Sequence, residues 1–383
     1  MIQLSSLPPL ALYVHVPWCV RKCPYCDFNS HEARGDIPQQ DYATALIKDL
    51  EQAVPLVWGR KVQSIFFGGG TPSLLSAEII DSLLCHIRAL LPLAHGAEIT
   101  LEANPGTVEA AKFIAFRDAG VNRLSLGIQS FDDAHLRALG RIHDGAEARQ
   151  AVEIALKTFD NVNLDLMYAL PAQSVEHVLR DMRSGTGYAP QHISAYHLTI
   201  EPNTAFHHQP PPIPDEDTGS AMQEAVEAEL AAAGYLHYET SAFARPGSSC
   251  RHNLNYWQFG DYLGIGAGAH SKLSFADRIL RQARFKHPIT YMNGTETGDH
   301  VESEHSLTRQ DLGFEFMMNA LRLVEGFPVA LFQERTGLPI SVMDAPLQIA
   351  ESRGLLIRDH LNVMPTSLGQ RFLNELLQLF LPD

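Results

Sequence analysis

The sequence predicts an α/β protein built on a parallel sheet or an open barrel and followed by a smaller, mainly helical C-terminal unit. Two observations carry that expectation. Six apolar runs with the look of buried strands recur over the first 200 residues, and segments with helical spacing of apolar residues separate most of them. Beyond residue 303 the pattern changes to helices with one late pair of β-type runs.

The strand candidates are 12–17 (LYVHVP), 62–67 (VQSIFF), 98–103 (EITLEA), 123–128 (RLSLGI), 162–168 (VNLDLMY) and 192–200 (HISAYHLTI). Each ends in small, polar or turn-forming residues, the usual close of a buried strand. Helical periodicity places helices at 40–54, 77–91, 108–119, 145–159 and 174–185. The run QPPPIP at 209–214 cannot continue a helix or a central strand and reads as a rigid surface turn before a helix at 218–233. In the last segment, LLIR and LNVM form a β-type pair ahead of a helix at 367–381, an arrangement like a winged helix.

Composition narrows the function. The 383 residues are 45% hydrophobic and 19% charged, enough for a sizeable core. Twenty-nine basic against 44 acidic residues give a formal charge of −15, so no nucleic-acid partner is expected. No apolar run approaches the ~20 residues of a membrane helix, and the first residues lack a basic signal-type segment, which makes the cytoplasm the expected address. The five cysteines (Cys19, Cys23, Cys26, Cys85, Cys250) are odd in number and form no disulfide framework.

Three of them lie in C-x3-C-x2-C directly after the first strand candidate. Thiolates so close together repel unless a cation or cluster neutralises them. A structural zinc site needs four ligands and the fourth is missing locally, whereas three cysteines can hold a [4Fe–4S] cube with one iron open. At the end of the second strand, FFGGGTP supplies a backbone that a ligand can approach closely. Glu102, Gln129, Arg141 and Asp165 are polar groups in or beside otherwise apolar runs, and each needs a partner.

The loop CVRKCPYC, with Tyr25 before the third cysteine, resembles the radical S-adenosylmethionine (SAM) superfamily. That resemblance implies a partial (β/α)6 barrel, a [4Fe–4S] cluster on Cys19, Cys23 and Cys26, and SAM chelated to the open iron. LEANPG, LGIQSF, GRIHD and LDLMYALP further resemble motifs of the oxygen-independent coproporphyrinogen III oxidase family. By that likeness Tyr13, Gly69 and Glu102 serve a first SAM position, and Tyr25, Gly70, Thr71, Gln129, Arg141 and Asp165 line a neighbouring one.

The likeness to the oxidase has two breaks: Phe28 stands where its fourth cysteine belongs, and only 18 residues precede Cys19. Both match the HemW-type heme chaperones instead, whose HNxxYW signature is similar to Cys250-Arg251-His252-Asn253-Leu254-Asn255-Tyr256-Trp257. The resemblance implies heme bound there, with His252 as axial ligand to the heme iron, Tyr256 and Trp257 covering the macrocycle and Arg251 pairing a propionate. It also implies heme, recipient hemoproteins (membrane respiratory enzymes among them), an electron donor for the cluster and a homodimer as partners. The corresponding division is 1–210 for the radical SAM core, 211–303 for a heme-binding and linking region and 304–383 for the C-terminal helical domain. A radical enzyme acting on a porphyrin, with SAM cleaved, and a cluster scaffold with a vestigial SAM site are the competing readings. The run LGIGAGAH fails the dinucleotide spacing and reads as a close-packed glycine strand, His207 and His208 as solvent-facing, and Cys85 as a core residue.

Overall fold

The computed structural model describes residues 3–107 and 110–382. Twelve strands form one sheet: β1 (Leu10–Val16), β2 (Val62–Gly69), β3 (Leu93–Ala103), β4 (Arg123–Gln129), β5 (Val162–Tyr168), β6 (His192–His197), β7 (Leu236–Glu239), β8 (Ala242–Ala244), β9 (Asp261–Ile265), β10 (His270–Ser274), β11 (Ile279–Arg284) and β12 (Val301–Ser306). Their spatial order is β12-β11-β10-β9-β1-β2-β3-β4-β5-β6-β8-β7. Strands β1 to β6 are parallel and sequential, the order that right-handed helical crossovers produce. These are the six strands expected from the apolar runs. β9 adds parallel to β1, and the strands beyond it, like the β7–β8 hairpin at the other margin, are antiparallel.

Alternation along each strand explains how a mostly apolar sequence encloses a polar space. On β5, Val162, Leu164 and Leu166 pack toward the helices, while Asn163, Asp165 and Met167 line the inner face. The helices Gln39–Ala53, Ala77–Leu90, Gly145–Thr158 and Val175–Gly187 lie within a residue or two of their expected bounds, three of them started by a serine or aspartate cap. The helix expected at 108–119 is described as Ala110–Ala119, residues 108 and 109 lying outside the described residues.

Several expectations change. Strand 192–200 ends at His197, because Leu198 turns its backbone N–H to Tyr168 and its side chain into an apolar cluster with Phe206 and Tyr25. The last helix is two, Ser367–Arg371 and Leu373–Gln378, broken at Phe372. Cys85 is exposed, since its helix buries Ile79, Ile80, Leu83, Leu84 and Ile87 on another face. The glycine run does not continue as a strand: Gly264 closes into β9, but Gly268 takes φ +80° in the turn to β10, where a Cβ would stand 2.3 Å from the Asn29 side chain. His207 and His208 are exposed, as expected. A separate core around Phe316, Phe327 and Phe332, with a three-stranded sheet, builds the C-terminal unit. Among the described residues no helix is long and apolar enough to cross a membrane.

Candidate functional site

A cavity of about 500 Å³ opens at the C-terminal ends of β2 to β6, where parallel α/β folds place their sites. Cys19, Cys23 and Cys26 form part of its wall. Their loop is closed by a short parallel ladder between Trp18–Cys19 and His31–Glu32, and the Lys22 ammonium donates to the carbonyls of Phe28 and Ser30. Each sulfur has one polar neighbour: Thr71 Oγ1 donates to Cys19 at 3.6 Å, Arg141 Nη1 to Cys23 at 3.7 Å, and Ser30 Oγ lies 3.8 Å from Cys26. Burial pushes the thiols of Cys19 and Cys26 up, opposed by those hydroxyls. Phe28, 60% exposed at the mouth, offers no ligand atom.

The three glycines of β2 have a packing reason as well as a binding one. A Cβ at Gly70 would stand 2.4 Å from the carbonyl oxygen of Trp18, so only glycine lets this turn press against the cysteine loop. The N–H groups of this turn are engaged: Gly69 donates to Glu102, Gly70 to the Val16 carbonyl and Thr71 to the Trp18 carbonyl. The Thr71 hydroxyl is engaged as well, donating to Cys19 Sγ and accepting from Asn104 Nδ2.

Gly69, Gly70, Thr71, Tyr25, Glu102, Gln129, Arg141 and Asp165 all line this cavity, together with the three cysteines. Desolvation, reinforced by Asp165, raises the Glu102 carboxyl to about 8, so it keeps its proton at neutral pH and can donate as well as accept. Asp165 accepts from Ser125 Oγ (3.0 Å) and Asn163 Nδ2 (2.8 Å), and burial pushes it up as well. Gln129 sits at φ 66°, a left-handed conformation uncommon for a non-glycine residue, where β4 ends. Arg141 spans the site, donating to Cys23 Sγ, to the Gly127 carbonyl (2.7 Å) and to Asn104 Oδ1. Tyr13 lies behind the wall, its hydroxyl 3.0 Å from His15 Nδ1 and its ring stacked on Phe66.

The HNxxYW segment folds as the helix Arg251–Trp257 and plugs the lower end of the barrel. Glu98, at the start of the inner face of β3, accepts from the backbone N–H groups of Arg251 and His252. Arg251 and Tyr256 remain exposed on this helix, while His252, the ligand the resemblance implies, is buried. His252 is 8% exposed, 3.2 Å from Ser64 Oγ through Nδ1, with its ring against Phe66 at 4.9 Å; burial, then the nearby Arg123 cation, lower its pKa to about 3. Arg251 Nη1 donates to the Gly96 carbonyl. Tyr256 stacks on Tyr262 at 4.6 Å, and Trp257 lies under the Arg322 guanidinium. The two aromatic rings therefore anchor the helix, and its His252-Asn253 pair turns inward.

Sequence reasoning missed Asn104, Arg123, Asn163, Ser194, Tyr196 and Asn253, all on the cavity wall. Period-2 alternation in RLSLG, VNLDL and ISAYH held that signal, because the polar member of each pair faces inward.

Residues 13–184 match the Radical SAM superfamily and residues 307–372 the HemN C-terminal domain. Barrel and cysteine loop thus define a radical SAM protein. The chain is 50% identical to the heme chaperone HemW of Escherichia coli (strain K12), over 99% of this chain and 100% of that one, and 48% identical to the HemW of Haemophilus influenzae over the same shares. The HemW of Bacillus subtilis is 32% identical over 97% and 99%. A solved structure described as coproporphyrinogen III oxidase (HemN) from Escherichia coli, a radical SAM enzyme, superposes with a TM-score of 0.83 over 98% of this chain and 90% of that one, at 23% identity, a likeness of fold. The chain belongs to the HemW heme chaperone family.

Radical SAM membership implies a [4Fe–4S] cluster and SAM, and the donor set fits. Among the described residues no three His, Cys, Asp or Glu side chains converge on a single metal ion. A cube asks for something different, one thiolate at each of three corners, and the three cysteines share one wall of the cavity with a polar neighbour at each sulfur.

Proposed function

We propose that this chain binds heme and hands it to recipient hemoproteins, with a [4Fe–4S] cluster on Cys19, Cys23 and Cys26 and SAM beside it. The observation that supports this best is the identity to heme chaperones along the whole chain, joined to a cavity walled by the three cysteines. When bound, the cluster supplies one electron at a time to a ligand in the cavity. The chain's own residues do the rest. Arg141 balances the Cys23 thiolate, Thr71 and Ser30 hold the other two, and protonated Glu102, together with the Asp165 carboxyl, offers hydrogen bonds suited to ribose hydroxyls. On this reading Gly69 and Glu102, with Tyr13 supporting from behind Phe66, form the first SAM position. Tyr25, Gly70, Thr71, Gln129, Arg141 and Asp165 form the second.

Heme ligation falls to His252, reached from the cavity past Phe66, while Arg251, Tyr256 and Trp257 fix the helix that carries it. Residues 1–210 act as the radical SAM core, 211–303 carry the heme segment and 304–383 form the C-terminal domain. Recipient hemoproteins such as membrane respiratory enzymes, an electron donor, a homodimer and a cytoplasmic address belong to the same proposal.

The test is a heme titration of anaerobically reconstituted protein followed by its visible spectrum, wild type beside His252→Ala. A shifted Soret band and weaker binding in the variant are expected; an unchanged spectrum would remove His252 as ligand. A porphyrin-modifying enzyme is the second reading, favoured by the polar set on β3 to β5. Incubation with coproporphyrinogen, SAM and dithionite decides it, and no vinyl product is expected with Phe28 in place of a fourth cysteine.

A further inference from the structure

The inner faces of β4, β5 and β6 carry a hydrogen-bonded chain that begins outside the cavity and ends on one of its acids. Its centre is His192, the first residue of β6, fully buried and two positions before Ser194 on the same face. Asp165 lies at the cavity end, where Asn163 Nδ2 donates to its Oδ1 at 2.8 Å and Ser125 Oγ to its Oδ2 at 3.0 Å. The second proton of the Asn163 amide goes to Ser125 Oγ at 2.7 Å. These bonds fix the sense of the amide. Asn163 Oδ1 points away from Asp165 and accepts from Ser194 Oγ at 3.1 Å and from His192 Nδ1 at 2.6 Å.

His192 therefore carries its proton on Nδ1. Its bare Nε2 accepts from the Tyr238 hydroxyl at 2.7 Å, and the Tyr238 oxygen accepts in turn from the Cys250 N–H at 3.2 Å, one residue before the Arg251–Trp257 helix. Every proton in the chain points toward Asp165. Burial, then the nearby Arg123 cation, keeps the imidazole neutral, so it has one donor and one acceptor to give, and both are used. We propose that His192 is a positioning residue for the second SAM position: by holding the Asn163 amide in one orientation, it keeps both Asp165 oxygens supplied with inner donors and their remaining lone pairs turned to the ribose hydroxyls of SAM. Remove its Nδ1 donor and Ser194 alone opposes the flipped amide, which would set a carbonyl oxygen against Asp165. This rests on the SAM-binding reading above and adds to it the residue, outside the cavity wall, through which the acid is aimed.

The experiment is a double-mutant cycle on cluster-reconstituted protein, read as SAM affinity and stoichiometry by equilibrium dialysis: wild type, His192→Phe, Asp165→Ala and the two together. His192→Phe should weaken SAM at the second position roughly tenfold, the range of one hydrogen bond to a charged group, and by less than about twofold once Asp165 is gone. His192→Asn, whose amide N–H stands where Nδ1 does, should recover part of the loss. Iron content and circular dichroism verify that each variant folds. Equal losses from His192→Phe with and without Asp165 would make the ring a packing element and overturn the proposal. Full affinity in His192→Phe, or in Asp165→Ala, would overturn it as well. Wild type that binds no SAM overturns the SAM reading itself, and this inference with it.

Discussion

The Arg251–Trp257 helix is seven residues long, too short to persist on its own, so what holds it in the barrel decides where His252 and Asn253 point. Glu98, 6% exposed, carries most of that burden. It accepts from Arg251 N at 3.0 Å and from His252 N at 3.2 Å, with Cys250 Sγ at 3.5 Å. Two hydrogen bonds to a charged acceptor are worth about 1.5–3 kcal/mol each, and a carboxylate at a helix N-terminus adds about 0.3–1 kcal/mol. Removing the buried charge also relieves its desolvation, which offsets part of the sum. Glu98→Ala should therefore free this helix by about 3 kcal/mol, and Glu98→Gln, which keeps an acceptor, by roughly half that on the same scale. In amide exchange read on peptides spanning residues 250–258, 3 kcal/mol is a rate increase of roughly a hundredfold, with most of the sheet unchanged. Heme affinity should fall in the same order. Exchange at Arg251 and His252 that is the same in wild type and Glu98→Ala would show that the helix is seated by its aromatic end alone, and the account of the floor would be wrong.

Three other outcomes follow from the geometry. Cys23→Ala, reconstituted anaerobically, should keep fewer than ~1 of 4 irons, since one of three thiolates is gone, and a full cluster would sink the ligand assignment. Glu102→Gln should stabilise the ligand-free protein as pH rises. The unfolded carboxyl ionises near 4.5 and the folded one near 8, so between those values the wild type loses stability by about 1.36 kcal/mol per pH unit, while below 4.5 the carboxyl is protonated in both states. Urea unfolding of both proteins at pH 4.5 and pH 8 reads this, and a gap that does not widen with pH refutes it. Arg141→Lys keeps the charge but cannot reach Cys23, Gly127 and Asn104 together, and should weaken SAM binding by roughly tenfold with the iron content kept, measured by equilibrium dialysis.

The six parallel strands were legible because their helix-facing residues are consistently apolar and their bounds end in turn-forming residues, and the cysteine loop because its spacing has few other uses. Beyond β9, whose Leu263, Gly264 and Ile265 fall in the glycine run read as a strand, the extension β10 to β12 was not. RQAR and VESEHS carry charge, yet Gln282 and Arg284 are buried because Glu304 and Asp49 receive them, partners 22 and 235 residues away in sequence. Arg123 was passed over for a related reason. A charged residue opening an apolar run reads as the polar edge of a strand, and only the packing of the sheet around the cavity turns that edge inward. For the HNxxYW segment, resemblance to a family signature pointed to a binding motif, but which way a short helix faces depends on Glu98 from another strand, which no local pattern contains.

The amide of Asn29, three residues past Cys26, donates to the carbonyls of Ala267 and Lys286, which lie 238 and 257 residues further along the chain. Asn29 also receives His15 Nε2 at its carbonyl, so the far side of the cysteine loop rests on a turn that is translated long after it. The three thiols are synthesised long before that support, since 260 residues separate Cys26 from Lys286. The cysteine loop therefore has its far-side support only when the turns at Ala267 and Lys286 are in place.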